Sequence, residues 1–113
     1  MHELGAMWEV VRIVENVVRE QNLTQVESIV LQIGEMASVI PYYVEQCYPA
    51  AVNGTLLENT RLNIEILPAN GCCRQCHKVF HVTEEYVRCP FCQSFSWELS
   101  GGREFMIKEI VAY

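Results

Sequence analysis

The sequence predicts an α+β fold, a three-stranded sheet with two helices plus an inserted four-Cys zinc-ribbon module. Three observations predict it. Segments with apolar residues at helical spacing alternate with segments of period two. Composition changes at Asn70, where aliphatic periodicity gives way to Cys and His. Strand-like alternation resumes after Ser100-Gly101-Gly102. The chain of 113 residues, half of them hydrophobic, is long enough for one core with a small appendage.

Residues 4–20 read as an amphipathic helix. Leu4, Met7, Val11, Val14 and Val18 recur on one face, and Val10 and Val17 widen the stripe. Glu9, Arg12, Glu15, Arg19 and Glu20 occupy the other sides, and Ile13 fits less well. The stretch VESIVLQIGE then alternates. Ile29, Leu31 and Ile33 point one way and Ser28 and Gln32 the other, with Gly34 as the stop.

A short second helix is expected in IPYYVEQCYPAAV, starting at Pro41, with Tyr43, Val44, Cys47 and Tyr48 on its apolar side. Pro49 is expected to kink or end it. After the turn at Asn53-Gly54-Thr55, RLNIEIL is a second strand with Leu62, Ile64 and Ile66 inward, closed by Pro68. The last strand lies in REFMIKEIVAY. The Cys-rich segment thus looks inserted between two strands that could pair as neighbours. The expected division is 1–69 with 99–113 as one α/β unit and 70–98 as the other.

The formal charge of −6 makes nucleic acid an unfavourable partner, because an acidic surface repels phosphates. No apolar run approaches the ~20 residues of a membrane span. The first residues carry Glu3, Glu9 and Glu15 rather than a basic start and an uncharged apolar stretch. A cytoplasmic location follows as the expectation. In that reducing setting a cluster of five Cys points to metal rather than disulfides.

Cys73, Cys76, Cys89 and Cys92 form two C-x2-C pairs separated by twelve residues. Two such turns facing each other supply a tetrahedral shell of four thiolates, which suits Zn²⁺. Four thiolates leave no open position, so the site is expected to be structural rather than hydrolytic. Its formal −2 charge would be offset in part by Arg74, Lys78 and Arg88, and metal binding would supply most of the module's folding free energy. A redox C-x-x-C would leave the second pair unexplained. CRQCH also matches a c-type haem attachment pattern with His77 as axial ligand, which requires an exported protein. Cys72 could stand in for Cys73, but two symmetrical knuckles are the simpler geometry. Cys47 reads as a core residue. His77 and His81 read either as exposed loop residues or as pH-sensitive neighbours of the metal site.

The opening MHEL permits two readings. Glu3 is an ordinary acid at a helix N-terminus, where it favours the dipole. Alternatively, the α-amine, the His2 amide and the His2 imidazole can form fused chelate rings round Ni²⁺ or Cu²⁺, which favour square-planar nitrogen donors. The amides are available because the first four N–H groups of a helix have no intrahelical acceptor.

MHEL at the start, LQIGE on the first strand, GTL after the second helix, the paired C-x2-C motifs ending in CPFC, and GREFMIKEIVAY at the end occur in this order along essentially the whole chain. Together they resemble the HypA/HybF family of hydrogenase nickel-incorporation proteins. The resemblance implies a nickel metallochaperone, not an enzyme. It implies nickel bound at Met1 and His2 with Glu3 adjacent, and zinc held by Cys73, Cys76, Cys89 and Cys92. It further implies work with a nickel-handling GTPase of the HypB type, delivery to the large subunit of [NiFe]-hydrogenase, and in some organisms a part in urease maturation with its accessory proteins. Pro49, Cys72 and His77 depart from the family's general pattern. The rival readings are a zinc-ribbon binding module for nucleic acid or protein with no nickel role, and a zinc or thiol enzyme. The acidic charge and the missing basic-aromatic stripe oppose a nucleic-acid role. The closed thiolate shell and the lack of a base–nucleophile pair oppose the enzyme.

Overall fold

The structure, a computed structural model, describes residues 2–83 and 88–113, with the backbone alone at His2. Its elements run α1 (His2–Glu20), β1 (Val26–Gly34), α2 (Pro41–Val52), β2 (Arg61–Leu67), β3 (Asn70–Cys73), β4 (Val79–His81), β5 (Trp97–Gly101) and β6 (Phe105–Ala112). They build two three-stranded sheets in an elongated molecule of 54 × 27 × 16 Å. The larger sheet has the order β2-β1-β6 and the smaller β4-β3-β5. Two helices, a three-stranded sheet and a separate Cys-bearing ribbon agree with the predicted fold class.

Helical periodicity places α1 as expected. Met7, Val10, Val11, Val14 and Val18 are buried, and Ile13 is largely solvent-facing. Strand periodicity does the same for β1, where Ile29, Leu31 and Ile33 are fully buried while Ser28 and Gln32 on the opposite face are half-buried. The helices lie together against the buried face, and Leu57, Val39 and Val44 complete the core. The opposite face carries polar cross-strand contacts instead. Gln32 donates to Glu65 at 3.2 Å, and Lys108 reaches both Glu65 oxygens at 3.1 Å.

Several expectations need correction. The strands flanking the Cys-rich segment do not pair with each other. β1 separates them, with β2 parallel on one flank and β6 antiparallel on the other. The α2 crossover returns the chain in the same direction as β1, and only a parallel neighbour satisfies that geometry. The final strand then takes β1's free flank.

Of the two outcomes expected at Pro49, an end to the helix is excluded, since α2 continues to Val52. The bond lost at Pro49 belongs to the carbonyl of Glu45, and both residues are exposed, so the lost bond falls on the solvent side of the helix. Ala51 and Val52 beyond the proline are buried and hold the last turn down. On the expected apolar side Val44 is buried and Cys47 and Tyr48 half-buried, but Tyr43 is exposed.

Ile66 is likewise exposed, although Leu62 and Ile64 pack on the core. It pairs in register with Ile33 near the end of a strand that has no outer neighbour among the described residues.

The smaller sheet extends through Gly101, past position 98, and its strands were hidden in the sequence by their length of three to five residues. Gly71 lets it close. A Cβ there would meet the Phe80 and Trp97 rings at 2.8 and 2.9 Å. Those rings pack edge-to-face with centroids 5.4 Å apart.

Candidate metal centre

The two C-x2-C segments fold into matching knuckles, one led by Cys73 at the end of β3 and one by Cys89. In the first, the N–H of Gln75 points at the Cys73 sulfur at 3.4 Å; in the second, the N–H of Phe91 points at the Cys89 sulfur at 3.4 Å. His77 N donates to the Cys73 carbonyl at 3.1 Å, and Gln93 N to the Cys89 carbonyl at 2.9 Å. Cys73 N donates to Lys78 O, and Cys89 N to Ser94 O. Each turn closes on a left-handed residue directly after its second Cys, His77 with φ 63° and Gln93 with φ 66°. His77 therefore has a definite backbone role, and its side chain is exposed.

The four sulfurs of Cys73, Cys76, Cys89 and Cys92 lie within 4.8 Å of one another. Cys73 and Cys92 Sγ are 3.5 Å apart, and Cys76 and Cys89 Sγ 3.7 Å. A regular tetrahedron of sulfurs round a metal at about 2.3 Å has edges of about 3.8 Å, so the donors already stand at ligand spacing. Cys73 and Cys89 are buried and Cys92 is exposed, which leaves the cluster open along one side.

Electrostatics favour the same conclusion. The N–H of Cys76, and then that of Gln75, hold the Cys73 thiol down to about 6. At Cys92 the N–H of Ser94 favours the thiolate, but partial desolvation at this exposed residue and hydrogen bonds with Cys73, Cys76 and Cys89 outweigh it and push that thiol up to about 11. One thiolate is stabilised by the backbone, and the neighbouring Cys92 thiol keeps its proton in hydrogen bonds to the other sulfurs. A bound cation is what allows all four to ionise.

Among the described residues no other group of three or more His, Cys, Asp or Glu converges in this way. Cys72 is not among the converging four, and its sulfur lies 4.0 Å from the Cys73 carbonyl. Cys47 packs half-buried against the main core. His81 is drawn to Glu35, Nε2 to Oε1, at 2.7 Å.

Of the expected nickel residues, Met1 and the His2 side chain lie outside the described residues. Helix α1 begins at His2, so the first amides have no intrahelical partner. Glu3 is half-buried, and its carboxylate accepts the N–H of Ile40 at 3.2 Å.

Residues 1–112 match the family described as hydrogenase/urease nickel incorporation, metallochaperone, hypA. The chain belongs to the HypA family. Among individual relatives, the hydrogenase maturation factor HypA of Dechloromonas aromatica is 34% identical over 110 residues, covering 97% of each chain. That of Geobacter sp. strain M21 is 37% identical over the same share of each. Two solution structures share the fold at 18% identity. A HypA protein superposes with TM-score 0.74, covering 100% of this chain and 97% of its own. The nickel metallochaperone HypA from Helicobacter pylori does so at 0.68, with 97% and 96% covered. Hydrogenase maturation is thus the setting of this HypA-family chain, and its partners are to be sought there.

Two contributors escaped the reading from sequence. Glu35 ends LQIGE, and a charged residue directly after a strand-stopping Gly was its only signal. Trp97 anchors the small core of Cys73, Phe80 and Cys89; its signal was the alternation in Trp97-Glu98-Leu99-Ser100.

Proposed function

We propose that this chain binds Ni²⁺ at its N-terminus and passes it on for maturation of [NiFe]-hydrogenase, while Zn²⁺ in the four-Cys group has a structural role. The match of residues 1–112 to a nickel-incorporation family carries the reading, because it includes the terminal segment. The Met1 amine, the His2 amide and the His2 imidazole form the nitrogen donor set, with Glu3 beside them. Nitrogen donors of this kind select Ni²⁺ over harder cations. A site at the chain end suits transfer, since a receiving protein can replace its ligands one at a time.

The four thiolates suit Zn²⁺ by number, softness and spacing, and they leave no position for substrate. The chain therefore acts as a carrier rather than an enzyme. Its partners are a GTPase of the HypB type and the hydrogenase large subunit, with urease accessory proteins as a further destination. The acidic excess lies wholly in residues 1–69, which disfavours a nucleic-acid partner, and a cytoplasmic location is part of this reading. No helix among the described residues is long and apolar enough to cross a membrane. In this reading 1–69 with 99–113 is the nickel unit, apart from 99–101 that complete the smaller sheet, and 70–98 contain the zinc ligands.

Ni²⁺ titration of the zinc-loaded protein tests this, read by d–d absorption. The native chain should bind about one Ni²⁺ in a square-planar field. His2→Ala, or one extra residue before Met1, should abolish that signal with the zinc retained. Undiminished nickel binding in both variants would overturn the N-terminal assignment.

A further inference from the structure

Helix α2 starts without the usual help. Its N-cap is Ile40, in an extended conformation with φ −100° and ψ 120°, and no side chain caps it from within. Pro41 suits the first helical position because it has no N–H to satisfy. Three residues after the N-cap, where a Glu or Gln would reach back to the N-cap N–H, stands Tyr43. There is no acidic residue in the first turn.

The missing acid comes from the other helix. Glu3 Oε2 accepts the Ile40 N–H at 3.2 Å, so the first turn of α1 completes the start of α2. A second observation places the Glu3 side chain over more than one turn of α2. Glu3, Tyr43, Gln46 and Cys47 line one cavity of about 350 Å³. The Cys47 thiol is raised, first by burial and also by the negative charge of Glu3.

We propose that Glu3 is a positioning residue of the nickel site, whose carboxylate is committed to the Ile40 N–H and fixes the metal-binding terminus against α2, rather than serving as a metal ligand. This rests on the N-terminal nickel reading. The two acids a cation would meet there have different tasks: the deprotonated amide binds, and the Glu3 carboxylate anchors. Its charge still offsets the unfavourable placement of a cation at the positive end of α1.

The test compares Glu3→Gln with Glu3→Ala, first without nickel and then with it. The amide oxygen of Gln can accept the Ile40 N–H; Ala cannot. In the nickel-free, zinc-loaded protein, Ile40 amide exchange should be about three- to tenfold faster in Glu3→Ala and near native in Glu3→Gln. Ni²⁺ affinity should follow the same order, with Glu3→Gln within about threefold of native and Glu3→Ala weaker by about tenfold. Added Ni²⁺ should leave Ile40 protected in the native chain. Equal loss of Ni²⁺ binding in both variants, with Ile40 released when nickel is added to the native chain, would make the carboxylate a ligand and overturn the proposal. Failure of the nickel reading looks different, since His2→Ala would then bind Ni²⁺ as the native chain does. Unchanged Ile40 exchange in nickel-free Glu3→Ala would remove the anchor itself.

Discussion

Glu35 and His81 meet across the junction between the two sheets, Oε1 against Nε2 at 2.7 Å. The same oxygen accepts the N–H of Ala69 at 2.7 Å, and the Glu35 N–H donates to Leu67 O at 2.9 Å. One residue at the end of β1 thus holds the segment that enters the Cys-bearing sheet and the last residue of β4. The return segment is held beside it, with Met36 N donating to Gly102 O at 2.7 Å. These bonds tie the Cys-bearing sheet to the end of β1.

This junction should loosen in acid. The Ala69 N–H, and then His81, hold the Glu35 carboxyl below its usual range. A carboxyl lowered on folding stabilises the folded state above its unfolded value, near 4.3, and that contribution is lost as pH falls through the lower folded value. Ala69 amide protection should therefore fall between about pH 5 and pH 3, and Glu35→Gln should flatten the profile. A native profile unchanged over that range would show that Glu35 does not hold the junction.

Close packing at the same place makes a second prediction. A Cβ on Gly34 would lie 2.1 Å from the Gly102 carbonyl oxygen, whereas one on Gly5 meets nothing within 4 Å. Gly34→Ala should destabilise the protein by on the order of 3 kcal/mol, because backbone rather than a side-chain tip must move. Gly5→Ala, on the exposed side of α1, should stabilise it by about 0.5–1 kcal/mol. Denaturant melts of the two variants should move in opposite directions.

The knuckles offer a third. His77 and Gln93 hold left-handed backbone, which costs a non-glycine residue about 1 kcal/mol or more. Glycine should relieve most of that cost at either position. His77→Gly and Gln93→Gly should retain metal longer under chelator challenge, and faster metal loss would show that the side chains matter more than the turn.

Removing a ligand should unfold only part of the molecule. Cys73→Ala should lose the bound metal and the packing of Phe80 on Trp97, because that small core is built round Cys73 and Cys89. The core of Ile29, Leu31 and Ile33 has no metal ligand in it and should persist. Methyl spectra should keep the main-core signals, while the half-buried Trp97 shifts its fluorescence to the red. Collapse of both sets together would mean that the two units fold as one.

Tyr48 tests the outer flank of the core. Its hydroxyl donates to Thr60 O at 2.8 Å, and burial pushes its pKa up to about 12. Tyr48→Phe should cost about 1 kcal/mol in thermal or denaturant melts, since it leaves the carbonyl of a buried residue without its donor.

Periodicity and spacing are local properties, and they carried the local results. Met7, Val11, Val14 and Val18 on one face of α1, Ile29, Leu31 and Ile33 on one face of β1, and four Cys in two equal knuckles follow from residue type and position alone. The ordered motifs along the chain carried the family. What sequence left open depends on contacts between residues far apart along the chain. It could not place β1 between β2 and β6, because each strand's own pattern says which face is buried and nothing about which flank is paired. It left the end of α2 open at Pro49 and misjudged Ile66, because burial at such positions is decided by what neighbouring elements cover. Glu3 and Glu35 found their partners only in three dimensions. Each is an ordinary acid in the sequence, and folding brings it to a distant backbone N–H that has no nearer acceptor.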